Sequence, residues 1–175
     1  MAFYLCIYNL ADTSVLQPVT APDCGYATIP LLRAYSRSAT AYFYTTNATE
    51  MDDFINGPDQ YISEGVAAQI LPADTQAPTA IPLFRLYDAN STDYFYTANA
   101  TVRDQELSTG KYVSQGVTGY VYPQQVCGTV PLYRVHLLAN HINSDFYTTD
   151  EAEVEDFVDN LGYINHGVTG YVNPQ

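Results

Sequence analysis

The sequence predicts an all-β fold built from three repeats of about 50 residues within a single domain that spans residues 1–175. The first observation is composition: the chain has 17 Tyr and 7 Phe, which favour pleated and half-buried surfaces, and ten Gly and ten Pro, which favour turns. The second observation is length, because 175 residues suit one domain with a substantial core. The third is the recurrence of three sequence blocks in the same order.

Each repeat contains the same three blocks. The first block occurs as IPLLRAY (29–35), IPLFRLY (81–87) and VPLYRVH (130–136). The second occurs as YFYTTNATE (42–50), YFYTANATV (94–102) and DFYTTDEAE (145–153). The third occurs as YISEGVAAQILP (61–72), YVSQGVTGYVYP (112–123) and YINHGVTGYVNP (163–174). We therefore divide the chain into an N-terminal segment and three repeats, which are 1–28, 29–78, 79–128 and 129–175.

The first two blocks predict a β-hairpin. In the second copy, Leu83, Arg85 and Tyr87 alternate with Phe84 and Leu86, which is the period of a strand. A short polar loop follows, SRSAT or DANST, and the YFYT strand comes next.

A single helical turn is expected after the hairpin, followed by two more strands. Residues suited to the N-cap position stand at the right place in each copy, and they are Asn47, Asn99 and Asp150. Glu50 and Glu153 follow three residues later, as in a capping box. The third block, as in YVSQGVTGYVY, predicts two short strands bent at the paired glycines, and the first glycine of the pair recurs as Gly65, Gly116 and Gly167. Each repeat then has four strands.

Three copies of a four-stranded unit predict a closed β-trefoil, because closure removes the exposed edges of short strands. A three-bladed propeller has the same number of strands, but propellers usually have at least four blades. A linear solenoid normally has atypical repeats at both ends. The stretch FYLCIYNL in the N-terminal segment alternates and predicts an extra strand.

The repeat resembles a known family. The pattern PLYR, D-H-F-Y-T and Y-x-x-E-G-V-A-G-Y-V-Y-P is similar to a repeat of unknown function that is common in mushroom proteins and in modules of secreted bacterial enzymes. The resemblance implies a repeat scaffold and no particular activity. The chain departs from the pattern where the family has His before F-Y-T, since Tyr42, Tyr94 and Asp145 stand there. The Glu before the glycine is kept only as Glu64.

Charge and cysteine content limit the partners and the compartment. A net charge of −13 with six basic residues argues against nucleic acid and anionic membranes, which attract Lys/Arg patches. No apolar run is long enough to span a membrane. The first residues make a poor signal peptide, which favours the cytoplasm and leaves secretion open. Cys24 and Cys127 lie near the same point of two repeats, so a disulfide between them is one of two open alternatives. No metal site is expected from the cysteines.

The arginines Arg33, Arg85 and Arg134 occupy one repeat position. A guanidinium can lock neighbouring repeats together by binding a carboxylate or backbone carbonyls, or it can form a repeated anion site. The recurrence in all three copies favours the locking role, so we group these arginines with the three recurring glycines as structural residues.

Candidate ligand-binding residues are expected where the copies differ. Tyr42 and Tyr94 are expected to be exposed and to offer stacking faces, with Asp93 and Asn90 beside them as polar partners for a sugar. Asp145 replaces the tyrosine in the third copy, and His141 lies in the hairpin loop of that copy.

These observations predict a non-catalytic ligand-binding protein. No nucleophile with a base and no carboxylate pair with separated pKa values is evident, so we expect no enzyme activity and no cofactor. The first hypothesis is lectin-like carbohydrate binding through the hairpin loops of the threefold repeat. The alternative is a small-molecule or pigment carrier of a coloured mushroom, with a bound organic chromophore in one enclosed, tyrosine-lined pocket. The expected partner is a glycan or a small molecule, and the sequence leaves a homo-oligomer open.

Overall fold

The computed structural model describes residues 25–75, 77–139 and 142–175, which form a mostly β structure of three similar units. Each unit has the order strand, strand, helix, strand. The first unit contains β1 (Ile29–Ser36), β2 (Ala41–Thr45), α1 (Ala48–Asn56) and β3 (Tyr61–Ile70). The second contains β4 (Ile81–Asp88), β5 (Asp93–Thr97), α2 (Ala100–Ser108) and β6 (Val113–Val121). The third contains β7 (Val130–Ala139), β8 (Ile142–Thr148), α3 (Glu151–Leu161) and β9 (Ile164–Val172).

Each unit folds into one antiparallel three-stranded sheet with its first strand in the centre. The strand orders are β2-β1-β3, β5-β4-β6 and β8-β7-β9. The register recurs as well, because Arg33 pairs with Tyr44, Arg85 with Tyr96, and Arg134 with Tyr147. The predicted hairpin of the first two blocks is therefore confirmed in all three units.

The third block differs from the prediction of two short strands, because each copy is one continuous strand. The recurring glycines have positive φ values of 80°, 87° and 81° at Gly65, Gly116 and Gly167. The pairing register with the central strand shifts near these positions, as in β-bulges. The glycines thus bend each strand without ending it. Among the described residues, each repeat has three strands instead of four.

The helical segments are also longer than the predicted single turn, since α1 and α2 have nine residues each and α3 has eleven. The predicted N-caps are confirmed: the side chains of Asn47, Asn99 and Asp150 accept backbone hydrogen bonds from the first turn. The glutamates do not form the expected capping box. Glu50 and Glu153 accept hydrogen bonds from Thr45 and Thr148, and they also bind arginines of neighbouring repeats.

Short backbone bridges join the third strands of the three sheets into a closed ring. The paired residues are Gln69 with Asn173, Leu71 with Tyr120, and Tyr122 with Tyr171. Both N–H groups of each pair donate to the opposite carbonyl, at 2.8–3.0 Å. Because every sheet bonds to both of the others, the three repeats close on themselves.

Three tyrosines, one in each of the strands β2, β5 and β8, form a second closed ring. The hydroxyl of Tyr44 donates to the carbonyl of Tyr147 at 2.8 Å and accepts from the N–H of Tyr147 at 2.8 Å. Tyr96 makes the same pair of bonds to Tyr44, and Tyr147 makes them to Tyr96. The rings pack edge-to-face with centroids 5.4–5.5 Å apart. All three side chains are buried, so these hydroxyls satisfy six backbone groups that water does not reach.

Two predictions concern residues 1–24, whose structure is not described. The extra strand predicted at FYLCIYNL lies outside the described residues. Cys127 is disulfide-bonded, but Cys24 also lies outside them, so its pairing with Cys127 stays a prediction. None of the described helices has the length and apolarity that crossing a membrane requires.

The tyrosine ring predicts a large effect for Tyr96→Phe. The change removes one hydroxyl and leaves the buried N–H and C=O of Tyr44 without their partner. Because each buried unsatisfied group costs about 1–3 kcal/mol, we expect the free energy of unfolding to fall by about 2–4 kcal/mol in urea titrations. Tyr26→Phe is the control, since Tyr26 is exposed, and it should change stability by less than about 0.5 kcal/mol. Equal effects of the two changes would contradict the role of the ring.

Candidate functional site

Two of the three interfaces between repeats contain an arginine bound to a glutamate of the neighbouring repeat. Arg33 donates from both terminal nitrogens to Glu153, at 3.2 Å each. Arg85 donates in the same way to Glu50, at 3.0 and 2.7 Å. Each guanidinium also lies over a phenylalanine of the neighbouring repeat, at 4.9 and 5.2 Å from the ring centroid. These two arginines therefore join adjacent repeats, as a locking role requires.

The third interface, between repeats 2 and 3, lacks this pair. Val102 stands at the helix position that Glu50 and Glu153 occupy in the other repeats. Arg134 instead donates from Nε to Oδ1 of Asp145, in its own repeat, at 2.7 Å. Its guanidinium still lies over Phe95 of the second repeat, 4.6 Å from the ring centroid. This interface therefore has the contact between the arginine and the phenylalanine, but it lacks the arginine–glutamate pair.

The two tyrosines predicted to be exposed stacking residues are buried, so that part of the prediction is wrong. Tyr42 is 9% exposed and packs on Tyr35, with ring centroids 4.5 Å apart. Tyr94 is 7% exposed and packs on Tyr87 at 4.6 Å. Each pair fills the interface with the neighbouring repeat, because a large apolar ring gains more from burial there than from contact with water.

At the interface of repeats 2 and 3, a polar pair takes the place of the tyrosine stack. His136 aligns with Tyr35 and Tyr87, and Asp145 aligns with Tyr42 and Tyr94. The Nδ1 atom of His136 lies 3.1 Å from Oδ1 of Asp145. A carboxylate only accepts hydrogen bonds, so Nδ1 is the donor and Nε2 is free to contact another group. The other oxygen of Asp145, Oδ2, is buried and has no hydrogen-bond partner among the described residues.

A second buried carboxylate, Asp93, lies beside this pair. Its Oδ2 accepts from the hydroxyl of Tyr112 at 2.5 Å and from Nδ2 of Asn143 at 2.7 Å. Its Oδ1 accepts from the backbone N–H of Asp145 at 3.3 Å. Ala41 and Ser144 occupy the same position in the other repeats, so this network belongs to one interface.

Burial, followed by the nearby charge of Asp145, raises the pKa of Asp93 to about 7. The hydrogen bond from Tyr112 and the charges of His136 and Lys111 act in the opposite direction. Burial and the charge of Arg134 lower the pKa of His166, whose ring lies 5.6 Å from that of His136. The cluster therefore contains a carboxyl group, that of Asp93, which titrates near neutral pH.

Tyr112, His136, Asn143 and His166 line a cavity of about 290 Å³, which we call the interface pocket. Asp93 and Asp145 are not among its lining residues. Its lining combines three kinds of groups. The basic and imidazole groups are Lys111, Arg134, His136 and His166; the other polar groups are Glu106, Tyr112 and Asn143; the apolar ones are Phe95 and Leu138. A concave site with a few convergent polar groups beside apolar ones is typical of small-molecule binding.

The structure places the remaining predicted residues away from this pocket or leaves them undescribed. Asn90 is exposed in the turn between β4 and β5, where its N–H donates to Asp88. His141 lies outside the described residues. Asp93 and Asp145, which the sequence placed in separate hairpins, lie together at one interface.

None of the nine residues that line the interface pocket was predicted as ligand-binding, and Arg134 was predicted as structural. Their signal lies in comparisons between neighbouring copies. His136 replaces a tyrosine, His166 replaces Glu64 and Gln115, and Val102 replaces a glutamate. Alignment of the copies shows each of these changes. It does not show that all three meet at one interface. No group of His, Cys, Asp and Glu among the described residues is arranged to hold a metal ion.

Comparison with known proteins finds one match. The family model described as domain of unknown function (DUF5648) matches residues 22–173. The chain belongs to this family. The match covers all three repeats of this DUF5648 chain, and the family description names no activity. Neither the curated proteins nor the solved structures include a significant match.

The raised pKa of Asp93 predicts a pH-dependent cost to folding. An acid whose pKa is higher in the folded state loses stability as pH rises from its ordinary value, about 4, through its folded value, about 7. Over that window the wild type should lose up to about 1.4 kcal/mol per pH unit relative to Asp93→Asn, which cannot ionise. Urea titrations at several pH values measure this difference. Asp74→Asn, at an exposed position, is the control and should follow the wild type. A parallel pH profile for Asp93→Asn would contradict the assignment.

Proposed function

We propose that this protein binds a small organic molecule in the interface pocket and does not transform it. The observation that carries the proposal is the replacement of a tyrosine stack by a polar pair, whose histidine lines the pocket, at one of three otherwise similar interfaces. The pair is His136 and Asp145, and the stacks at the other interfaces are Tyr35 with Tyr42 and Tyr87 with Tyr94.

The energetic cost of this replacement supports a binding role. Burying Asp93 and Asp145 requires desolvation, which hydrogen bonds offset only in part. The same scaffold packs tyrosines at this position twice, so stability alone favours a third stack. Buried polar groups whose desolvation is costly are typical of functional sites, and these two carboxyl groups bond to His136, Tyr112 and Asn143, which line the pocket.

The other two interfaces also have pockets, but those contain the arginine–glutamate pairs, so the three pockets are not equivalent. This difference agrees better with the small-molecule hypothesis than with a lectin that has repeated sites. Lectin-like binding through the hairpin loops stays a prediction, but the buried Tyr42 and Tyr94 do not supply the stacking faces it requires. A pigment is one member of the proposed ligand class, and a coloured ligand would give the purified protein a visible absorption band. Phe95 and Tyr112 provide aromatic surface for such a molecule.

The finer fold and family predictions are part of this proposal. Closure of the three sheets by backbone bridges supports the closed threefold arrangement expected of a β-trefoil, while three strands per repeat differ from its usual four. The mushroom origin suggested by the resemblance, the absence of nucleic-acid and membrane partners, and a homo-oligomer stay predictions.

A protein-observed NMR screen with small sugars and small aromatic compounds tests the proposal. We expect the binding compounds to shift resonances of the interface pocket, including Leu138 and Asn143, and to leave the turn at Asn90 unchanged. Leu138→Trp should weaken binding at least fivefold, because Leu138 lines the pocket and is 71% exposed, so a larger side chain narrows the entrance at little cost to the core.

Leu161→Trp is the matched control. Leu161 is also an exposed leucine, at 52%, but it lies at the end of α3 and does not line the pocket. It should bind as the wild type does. Binding of sugars that shifts the hairpin loops instead would favour the lectin hypothesis, and equal affinities of the two tryptophan variants would contradict the pocket.

A further inference from the structure

We propose that the interface pocket recognises a carboxylate group of its ligand through the two terminal nitrogens of Arg134. This inference rests on the proposed function and specifies the ligand chemistry. A planar guanidinium has two parallel N–H donors that match the two oxygens of a carboxylate. The three repeats of this chain allow the arginine to be compared with two internal equivalents.

The equivalents show what this position binds. Arg33 and Arg85 each direct both terminal nitrogens to one carboxylate, which belongs to Glu153 and Glu50 respectively. In both cases the glutamate is the third residue of the helix in the neighbouring repeat. The backbone position of the arginine, in the central strand opposite the ring tyrosine, is the same in all three repeats.

Arg134 has the same position without the same partner. The third residue of α2 is Val102, which supplies no carboxylate. Among the described residues, Arg134 donates a hydrogen bond only through Nε, to Asp145. Arg134 lines the interface pocket, so we expect its terminal nitrogens to reach a ligand carboxylate bound there.

An arginine that contacts two carboxylates already occurs in this protein, at Arg33. That guanidinium contacts Glu64 at its Nε, 2.8 Å away, and Glu153 at its terminal nitrogens. Arg134 has Asp145 at its Nε, at 2.7 Å. A ligand carboxylate would complete the same arrangement of one arginine between two carboxylates. Lys111 also lines the pocket and contributes a further positive charge.

The remaining lining indicates the rest of the ligand. Phe95 and Leu138 provide apolar surface, and the cavity of about 290 Å³ is near the lower end of small-molecule sites. This size and composition fit a small aromatic or short aliphatic monocarboxylic acid better than a polyanion or an oligosaccharide.

Val102→Glu tests the inference by supplying the carboxylate from the protein. The local surroundings are already present, because Thr97 aligns with Thr45 and Thr148, whose hydroxyls donate to Glu50 and Glu153 at 2.5 Å. Thr97 also accepts the N–H of Asn99 at 3.1 Å, as Thr45 does for Asn47 at 3.0 Å. We expect this variant to fold, to melt at a higher temperature than the wild type and to compete with ligand carboxylates.

The experiment compares acetate, benzoate and cinnamate with their neutral amides, by NMR titration of the wild type, Val102→Glu and Arg134→Gln. At least one carboxylate should bind the wild type tenfold or more tightly than its amide, with shifts at Leu138 and Asn143. Both variants should lose this preference. Arg134→Gln provides an independent test if Val102→Glu does not fold, and thermal melts check both.

The outcomes separate the two proposals. Amides that bind the pocket as tightly as the acids would overturn the carboxylate inference and leave the small-molecule pocket in place. Unchanged carboxylate preference in a folded Val102→Glu or Arg134→Gln variant would also overturn it. If neither acids nor amides nor the screened compounds shift pocket resonances, the proposed function fails as well.

Discussion

The ring of Tyr44, Tyr96 and Tyr147 is the constraint on which the rest of the structure depends. Each hydroxyl satisfies the buried N–H and C=O of one neighbouring tyrosine, so the ring forms only when all three repeats are present and in register. The bridges between the third strands close the same three units a second time. A repeat with a three-stranded sheet has exposed edges and little core of its own, and closure removes both problems.

Because the closure is secured by the tyrosine ring and the backbone bridges, the side chains elsewhere at each interface can differ. Two interfaces each contain a tyrosine stack and an arginine–glutamate pair. This arrangement avoids the cost of burying the carboxyl groups of Asp93 and Asp145, so it is the more stable one. The third has His136, Asp145 and Val102 at those positions, and its pocket lacks the arginine–glutamate pair that the pockets of the other two interfaces contain. The proposed function would place ligand binding at the interface that departs from this arrangement, as in proteins whose local departures from the most stable arrangement cluster at functional sites.

The sequence was sufficient for the features that depend on local pattern. The hairpins follow from the alternation in IPLFRLY, and the N-caps follow from the side chains of Asn47, Asn99 and Asp150. The features that depend on which repeats touch were not accessible in this way. Glu50 suggested a capping box because its partner, Arg85, lies 35 residues away in another repeat. Tyr42 suggested an exposed face because nothing local indicates that Phe146 packs against it, at 4.8 Å.

The most direct test of the tyrosine ring is native-state hydrogen exchange of the amides of Tyr44, Tyr96 and Tyr147. These amides lie in the short strands β2, β5 and β8. Each amide donates a hydrogen bond to the hydroxyl of a tyrosine in another repeat. If the ring holds the repeats together, all three amides exchange only when the whole domain unfolds, with the free energy of global unfolding. Exchange of any one of them through a smaller, local opening would contradict the account, because a single repeat could then detach while the others stay folded.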